Sequence, residues 1–240
     1  MPDASGAVLI LGAGVSGCAL AFHLTKRSVG PVVVYDPATP AAGATGRAAG
    51  VVTEQLWDRW DVEVTRESHR EYARLCQRWE PGAYLLNGFV RWTANRDALP
   101  ALDQARARLR GWGVEIEDAD AGDLARWLPE GRFEDVAGAL FSPHDACVTP
   151  SSLATIYAEG ARQAGATFDF GRPFGGVHRE GDRWEIDAAH GTLSAPHLVV
   201  AAGAWSKRIL LAAGHPLPLV PYRTQAAVLL PPVPRTETFP

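Results

Sequence analysis

Ala7-Val8-Leu9-Ile10-Leu11-Gly12-Ala13-Gly14-Val15-Ser16-Gly17-Cys18 reads as strand, glycine turn and helix start. The apolar run Ala7 to Leu11 has the length and composition of a buried strand, and Cys18 to Lys26 those of the helix behind it. A second apolar run, Val32-Val33-Val34-Tyr35, ends in Asp36, about 20 residues after the glycines, where a βαβ unit brings its acidic residue. The order is that of a dinucleotide site. Gly12 permits the tight turn, Gly14 lets the backbone approach a pyrophosphate, and Gly17 allows helix and strand to pack closely. Val15 and Ser16 then present amides at the helix N-terminus, where unpaired N–H groups and the helix dipole favour a phosphate. A carboxylate at Asp36 accepts from ribose hydroxyls and repels a 2′-phosphate, which argues against NADP.

Composition bounds the rest. A chain of 240 residues with 47% hydrophobic and 21% charged residues buries a real core. A formal charge of −4, with no local Lys/Arg cluster, gives no field for nucleic acid. No apolar run reaches the roughly 18 residues of a membrane span, and Met1 to Gly6 lacks the basic opening of a secretory signal. The expectation is a cytoplasmic protein. Three scattered cysteines, Cys18, Cys76 and Cys147, offer neither a zinc quartet nor a redox pair.

The glycine turn does not distinguish FAD from NAD. Two further segments bear on that choice. Gly43-Ala44-Thr45-Gly46-Arg47-Ala48-Ala49-Gly50-Val51-Val52 is a small-residue stretch after the second strand that exposes backbone amides, with Thr45 and Arg47 adding a hydroxyl and a cation for phosphate. His197-Leu198-Val199-Val200-Ala201-Ala202-Gly203-Ala204-Trp205-Ser206 is an apolar strand running into a small-residue turn that opens a helix from Ser206 to Ala212.

With the linker Asp145-Ala146-Cys147-Val148-Thr149-Pro150 and Pro221-Tyr222-Arg223-Thr224-Gln225, these segments resemble the FAD-dependent amino-acid oxidase family, of glycine oxidase, sarcosine oxidase and D-amino-acid dehydrogenase type. The resemblance implies an α/β fold: a Rossmann-like FAD-binding domain at residues 1–80 and 143–215, with an interleaved, incomplete α+β substrate domain at 81–142 and 216–240. It implies FAD as cofactor, contacted by Gly12, Gly14, Val15, Ser16, Gly17 and Asp36. Ala44, Thr45, Arg47, Ala49, Gly50 and Val51 would line the way from pyrophosphate to flavin, Phe174 would offer its main chain to adenine, and Ala202, Gly203 and Trp205 would pack near the cofactor.

Periodicity adds detail. Tyr72, Leu75, Cys76 and Trp79 share one helical face, which makes Cys76 a core residue. Leu85 to Thr93 reads as one strand, and Asp97 to Gly111 as a helix whose Arg106, Arg108 and Arg110 form a solvated face. Thr149-Pro150 starts another helix, buried along Leu153, Ile156, Tyr157 and Ala161 and ended by Gly165. Trp184 to Asp187 alternates as a hairpin strand. Thr224 to Leu230 reads as a strand with an exposed edge. His69 is placed on a solvated helix and His144 in a loop, with Asp145 capping a turn.

The seven histidines show no metal-ligand spacing, and no Gly-x-Ser-x-Gly elbow occurs. No Cys-x-x-Cys or second GxGxxG is present, so electrons are expected to enter from the substrate. The function expected is oxidation of a small amine or amino acid by hydride transfer to flavin, with no catalytic residue assigned; Arg223 and Gln225 read equally well as structural. Alternatives are a truncated or partner-requiring FAD-binding half, completed by self-association or a second subunit, and an NAD-dependent dehydrogenase.

Overall fold

The structure, a computed structural model, describes residues 7–171, 175–188 and 191–225. These form two compact units, one of residues 7–49 and 150–225, the other of residues 50–149. The chain runs β1 (Val8–Leu11), α1 (Val15–Lys26) and β2 (Val32–Asp36) in the first unit. The second unit holds β3 (Val51–Val52), α2 (Arg59–Trp79), β4 (Tyr84–Leu85), β5 (Phe89–Thr93), α3 (Leu99–Gly111), β6 (Glu117–Ala119), α4 (Ala121–Trp127), β7 (Gly138–Ser142) and β8 (Ala146–Val148). The first unit resumes with α5 (Pro150–Gln163), β9 (Thr167–Phe170), β10 (Val177–Glu180), β11 (Arg183–Ala188), β12 (Gly191–Ala195), β13 (His197–Val200) and α6 (Ser206–Ala212).

The first unit is a parallel sheet in the order β13-β1-β2-β9. All four residues of β1 are buried, as a strand covered on both faces requires. Leu9 and Leu11 face a core shared with Tyr35, Val177, Ile186, Ala195 and Ile209, which joins the antiparallel sheet β10-β11-β12 and α6 to the parallel sheet. On α1, whose buried residues include Cys18, Ala21 and Phe22, lies the most extensive helix pairing among the described residues, with α5. Phe22 and Tyr157 stack edge to face at 5.4 Å. The helices expected from Pro150 and from Ser206, the strand at Leu198 and the hairpin strand at Trp184 lie where the sequence put them.

The second unit carries two three-stranded antiparallel sheets, β3-β8-β4 and β5-β7-β6. Val62 of α2 packs with Leu102, Leu109, Val114, Ile116 and Leu140, and β8 pairs with β3 and β4. For this reason α2 and residues 143–149 fall in the second unit, and the breaks lie at 49 and 149 instead of near 80 and 143. The single strand read from Leu85 to Thr93 is two. Gly88 takes φ +78°, its N–H donates to the Asp145 carbonyl at 2.8 Å, and a Cβ there would lie 2.4 Å from the Phe141 ring. Of the strand read from Thr224 to Leu230, residues 226–230 lie outside the described residues, and Thr224 and Gln225 are exposed and irregular.

A Cβ on Gly160 of α5 would lie 2.6 and 2.8 Å from ring carbons of Phe22. Gly160→Ala is therefore expected to destabilise the chain by about 1–3 kcal/mol through overpacking, reversing the ~1 kcal/mol that alanine gains inside a helix. Urea unfolding of the two proteins checks this, and a stabilised variant would contradict it.

Candidate functional site

The glycine turn is fixed by backbone sterics. Gly12 takes φ +112° and lies so close to the end of β13 that a Cβ would sit 2.4 Å from the Ala201 oxygen. A Cβ on Gly17 would sit 1.9 Å from the Gly12 oxygen. The Gly12 N–H donates to the Tyr35 carbonyl at 2.9 Å, and the Ala201 N–H to the Leu11 carbonyl at 2.7 Å, so turn and strand ends are tied on both sides. Gly14 differs. Its φ of −68° suits any residue, and a Cβ would meet only the Thr45 hydroxyl, at 3.2 Å.

The polar groups around the turn are partly committed to the protein. Asp36 accepts from the Ala13 N–H at 2.7 Å through one oxygen and from the Ala38 N–H at 2.8 Å through the other. Its second pair of acceptor positions remains for a ligand. The Val15 N–H donates to the Thr45 hydroxyl at 3.1 Å, leaving the amides of Ser16 and Gly17 as first-turn donors without an intrahelical acceptor. Arg47 folds back, donating to the Gly43 carbonyl at 2.8 Å and to that of Ala42. The cation expected beside a phosphate instead staples its own loop.

Gly12, Gly14, Val15, Gly17, Asp36 and Thr45 thus meet at one place with Ala201 and Ala202, and Trp205 lies 3.7 Å from a Cβ placed on Gly43. Ser16, Ala44, Ala49 and Gly203 are exposed residues of the same unit. Gly50 and Val51 belong to the second unit, where the Gly50 carbonyl accepts from the Val148 N–H at 2.8 Å and Val51 pairs with Cys147. Phe174 lies outside the described residues. The sequence reading missed Ala13, Ala41 and Ala201, whose backbone groups complete the turn; alanine carries no signal for such a role. Burial pushes the Cys18 thiol up to about 12, with the Asp36 charge adding to it and Arg162 opposing, so Cys18 is an inert core thiol.

The second unit holds a cavity of ≈ 470 Å³ lined by residues including Glu54, His69, Tyr84, Glu115, His144 and Asp145. Distant segments build it, so it leaves no motif. His69 is not on a solvated face: its Nδ1 bonds the Tyr84 hydroxyl at 2.7 Å, and burial lowers its pKa against the opposing charge of Glu54. His144 is exposed and meets Glu115 at 2.9 Å. Asp145 does more than cap a turn. It is 1% exposed and accepts from the Thr53 hydroxyl and from the Glu54 N–H at 2.9 Å. Burial lifts its carboxyl from 3.8 to about 6, against the hydrogen bonds from Thr53 and Glu54.

Compared with known proteins, residues 7–240 match the family described as FAD dependent oxidoreductase (DAO), and the chain belongs to that family. It is 26% identical over 245 residues to glycine oxidase of Geobacillus kaustophilus, covering 96% of this chain and 63% of that protein. To mitochondrial sarcosine dehydrogenase of Homo sapiens it is 25% identical, covering 89% of this chain and 24% of that protein. It is also 26% identical to the mitochondrial pyruvate dehydrogenase phosphatase regulatory subunit of Mus musculus, covering 89% and 25%. The crystal structure of glycine oxidase from Geobacillus kaustophilus superposes with a TM-score of 0.77 at 25% identity, over 86% of this chain and 58% of that one. L-proline dehydrogenase from P. horikoshii shares the fold, with a TM-score of 0.81 at 20% identity, over 89% and 57%. The chain spans a quarter to under two thirds of these proteins' lengths. The glycine turn and Asp36 fit the family's cofactor: a first-turn approach stays open at Gly14, and acceptor positions stay free on Asp36. No helix among the described residues is long and apolar enough to cross a membrane.

A carboxyl whose folded pKa is raised holds more protons folded than unfolded, so its contribution to stability is full below 3.8 and is lost as pH rises through about 6. Asp145→Asn removes this titration. Between pH 4 and pH 7 the wild type is expected to lose about 2 kcal/mol relative to the variant. Urea unfolding at both pH values checks it; parallel profiles would show that Asp145 does not titrate in this window.

Proposed function

We propose that this chain binds FAD on the glycine turn of its first unit and serves the oxidation of a small amine or amino acid. The observation that carries the reading is Gly14. Its backbone angles are ordinary, so conformation does not demand glycine there, and packing opposes a side chain only through the Thr45 hydroxyl, 3.2 Å from a Cβ. A pyrophosphate drawn against the first turn of α1 does demand it.

Bound FAD supplies the hydride acceptor. The residues of the chain hold and orient it. The amides of Ser16 and Gly17, with the positive end of the α1 dipole, bind the pyrophosphate, while the Thr45 hydroxyl holds the Val15 amide and so fixes the turn. Asp36 keeps two amides and accepts from the adenosine ribose with its remaining lone pairs. Arg47 rigidifies the Ala44–Thr45 loop through its carbonyl bonds instead of neutralising phosphate. Ala202, Gly203 and Trp205 form the turn beside Gly12 that would pack against the bound cofactor. Support for an amine or amino-acid substrate comes from the similarity to glycine oxidase and sarcosine dehydrogenase.

A second reading has one observation in its favour, the similarity to a pyruvate dehydrogenase phosphatase regulatory subunit. In it the chain is a FAD-binding part that oxidises nothing alone and works with another subunit or copy.

The purified chain is expected to be yellow with flavin absorbance, and anaerobic addition of amino acids should bleach it. Gly14→Ala should keep the thermal midpoint within about 4 °C and weaken FAD binding at least tenfold, about 1.4 kcal/mol. Flavin that binds but stays oxidised with every amine favours the second reading. A colourless protein that takes up no FAD refutes both.

A further inference from the structure

The helix α3 carries three arginines, and the structure treats them differently. Arg106 pairs with Asp103 at 2.6 Å and Asp118 at 2.7 Å. Arg110 donates to the Ile116 carbonyl at 2.7 Å and meets Asp118 at 3.4 Å. The expected solvated face is therefore a set of engaged side chains. Arg108 is engaged in another way. Its guanidinium carbon lies 5.6 Å from the ring centroids of both Trp57 and Trp112, and that of Arg91 lies 5.7 Å from Trp57.

Among the described residues no carboxylate lies within ion-pair distance of Arg91 or Arg108. Arg91 donates one bond, to the Gln55 carbonyl at 2.7 Å. On Arg108, Nε and Nη2 are both buried and have no hydrogen-bond partner. These two atoms form the side-on edge of a guanidinium, with two parallel donors at the spacing of carboxylate or phosphate oxygens. Indole rings satisfy the face of the cation and leave its in-plane N–H groups unserved.

We propose that Arg108, supported by Arg91 and walled by Trp57 and Trp112, is a binding site for a small oxyanion, a carboxylate or a phosphate, within the second unit. The anion takes two parallel bonds from the Arg108 fork and offsets the repulsion between two cations that share the Trp57 ring. The electrostatics agree: the guanidinium of Arg91 is lowered from its ordinary pKa first by burial and next by the charge of Arg108, with Asp145 opposing. Trp57 is 75% exposed, so an anion reaches the fork by displacing one solvent-facing ring. The site uses none of the residues of the glycine turn.

The test titrates the full 240-residue chain, saturated with FAD, with sodium phosphate or sodium acetate against sodium chloride at matched ionic strength, following tryptophan fluorescence and the thermal midpoint. The expected result is a saturable response to phosphate, acetate or both that chloride does not give; which of the two anions responds tells phosphate from carboxylate. Arg108→Gln should weaken that binding at least tenfold. Arg108→Lys, which keeps the charge and loses the fork, should not restore it. Arg91→Gln should weaken it less, and serves as the second variant if Arg108→Gln does not fold. An equal response of the wild type to all three salts overturns the proposal, as does a specific response that survives in the Arg108 variants.

Discussion

The contact on which the first unit depends is backbone against backbone: the Gly12 carbonyl occupies the space a side chain on Gly17 would need, and Gly12 in turn abuts Ala201. Because β1, α1 and the end of β13 converge there, no side chain larger than hydrogen is compatible at either glycine. The sheet order β13-β1-β2 is closed at that convergence, where the Ala201 N–H donates to the Leu11 carbonyl and the Gly12 N–H to that of Tyr35. Asp36 then extends the constraint to β2, since its carboxylate holds the Ala13 amide inside the turn. One carboxylate therefore serves structure before it serves any ligand.

The second unit is held differently. Its strands are short, and a buried polar knot joins them. Asp145 accepts from Thr53 and Glu54; Gln55 donates to the Ser142 hydroxyl at 2.9 Å and the Phe89 carbonyl at 3.3 Å. Buried polar groups of this kind cost free energy unless each is paired, so they fix one arrangement instead of adding much stability. The lifted pKa of Asp145 is the measure of that cost.

What was legible in the sequence was local. The glycine turn, α5 with its start at Pro150, α6 and the β11 strand each declare themselves through neighbours within one turn or one pleat. What was not legible came from tertiary partners. Gly88 divides the stretch from Leu85 to Thr93 because Phe141 and Asp145 occupy its surroundings. The helix α2 begins at Arg59, capped by Asp58, well before its apolar face becomes regular. The capping box of Asp120 and Asp123 starts α4 in a stretch with no apolar periodicity to flag it. Helical position alone places His69 and Arg108 toward solvent, because it does not show that Tyr84 or two tryptophans stand opposite.

The candidate site divides along the same line. Glycines at Gly12 and Gly17 are explained entirely by the protein's own backbone, so their presence says nothing about a ligand beyond permitting the fold. Thr45 and Arg47, chosen for their chemistry, turn out to spend that chemistry on the turn and on loop carbonyls. Of the three glycines of the turn, Gly14 has the weakest internal reason: ordinary backbone angles and one close contact, the Thr45 hydroxyl 3.2 Å from a Cβ. Where the other two glycines of the turn are fixed by backbone contacts and Thr45 and Arg47 by hydrogen bonds within the chain, the residue least explained from inside is the best guide to what lies outside it.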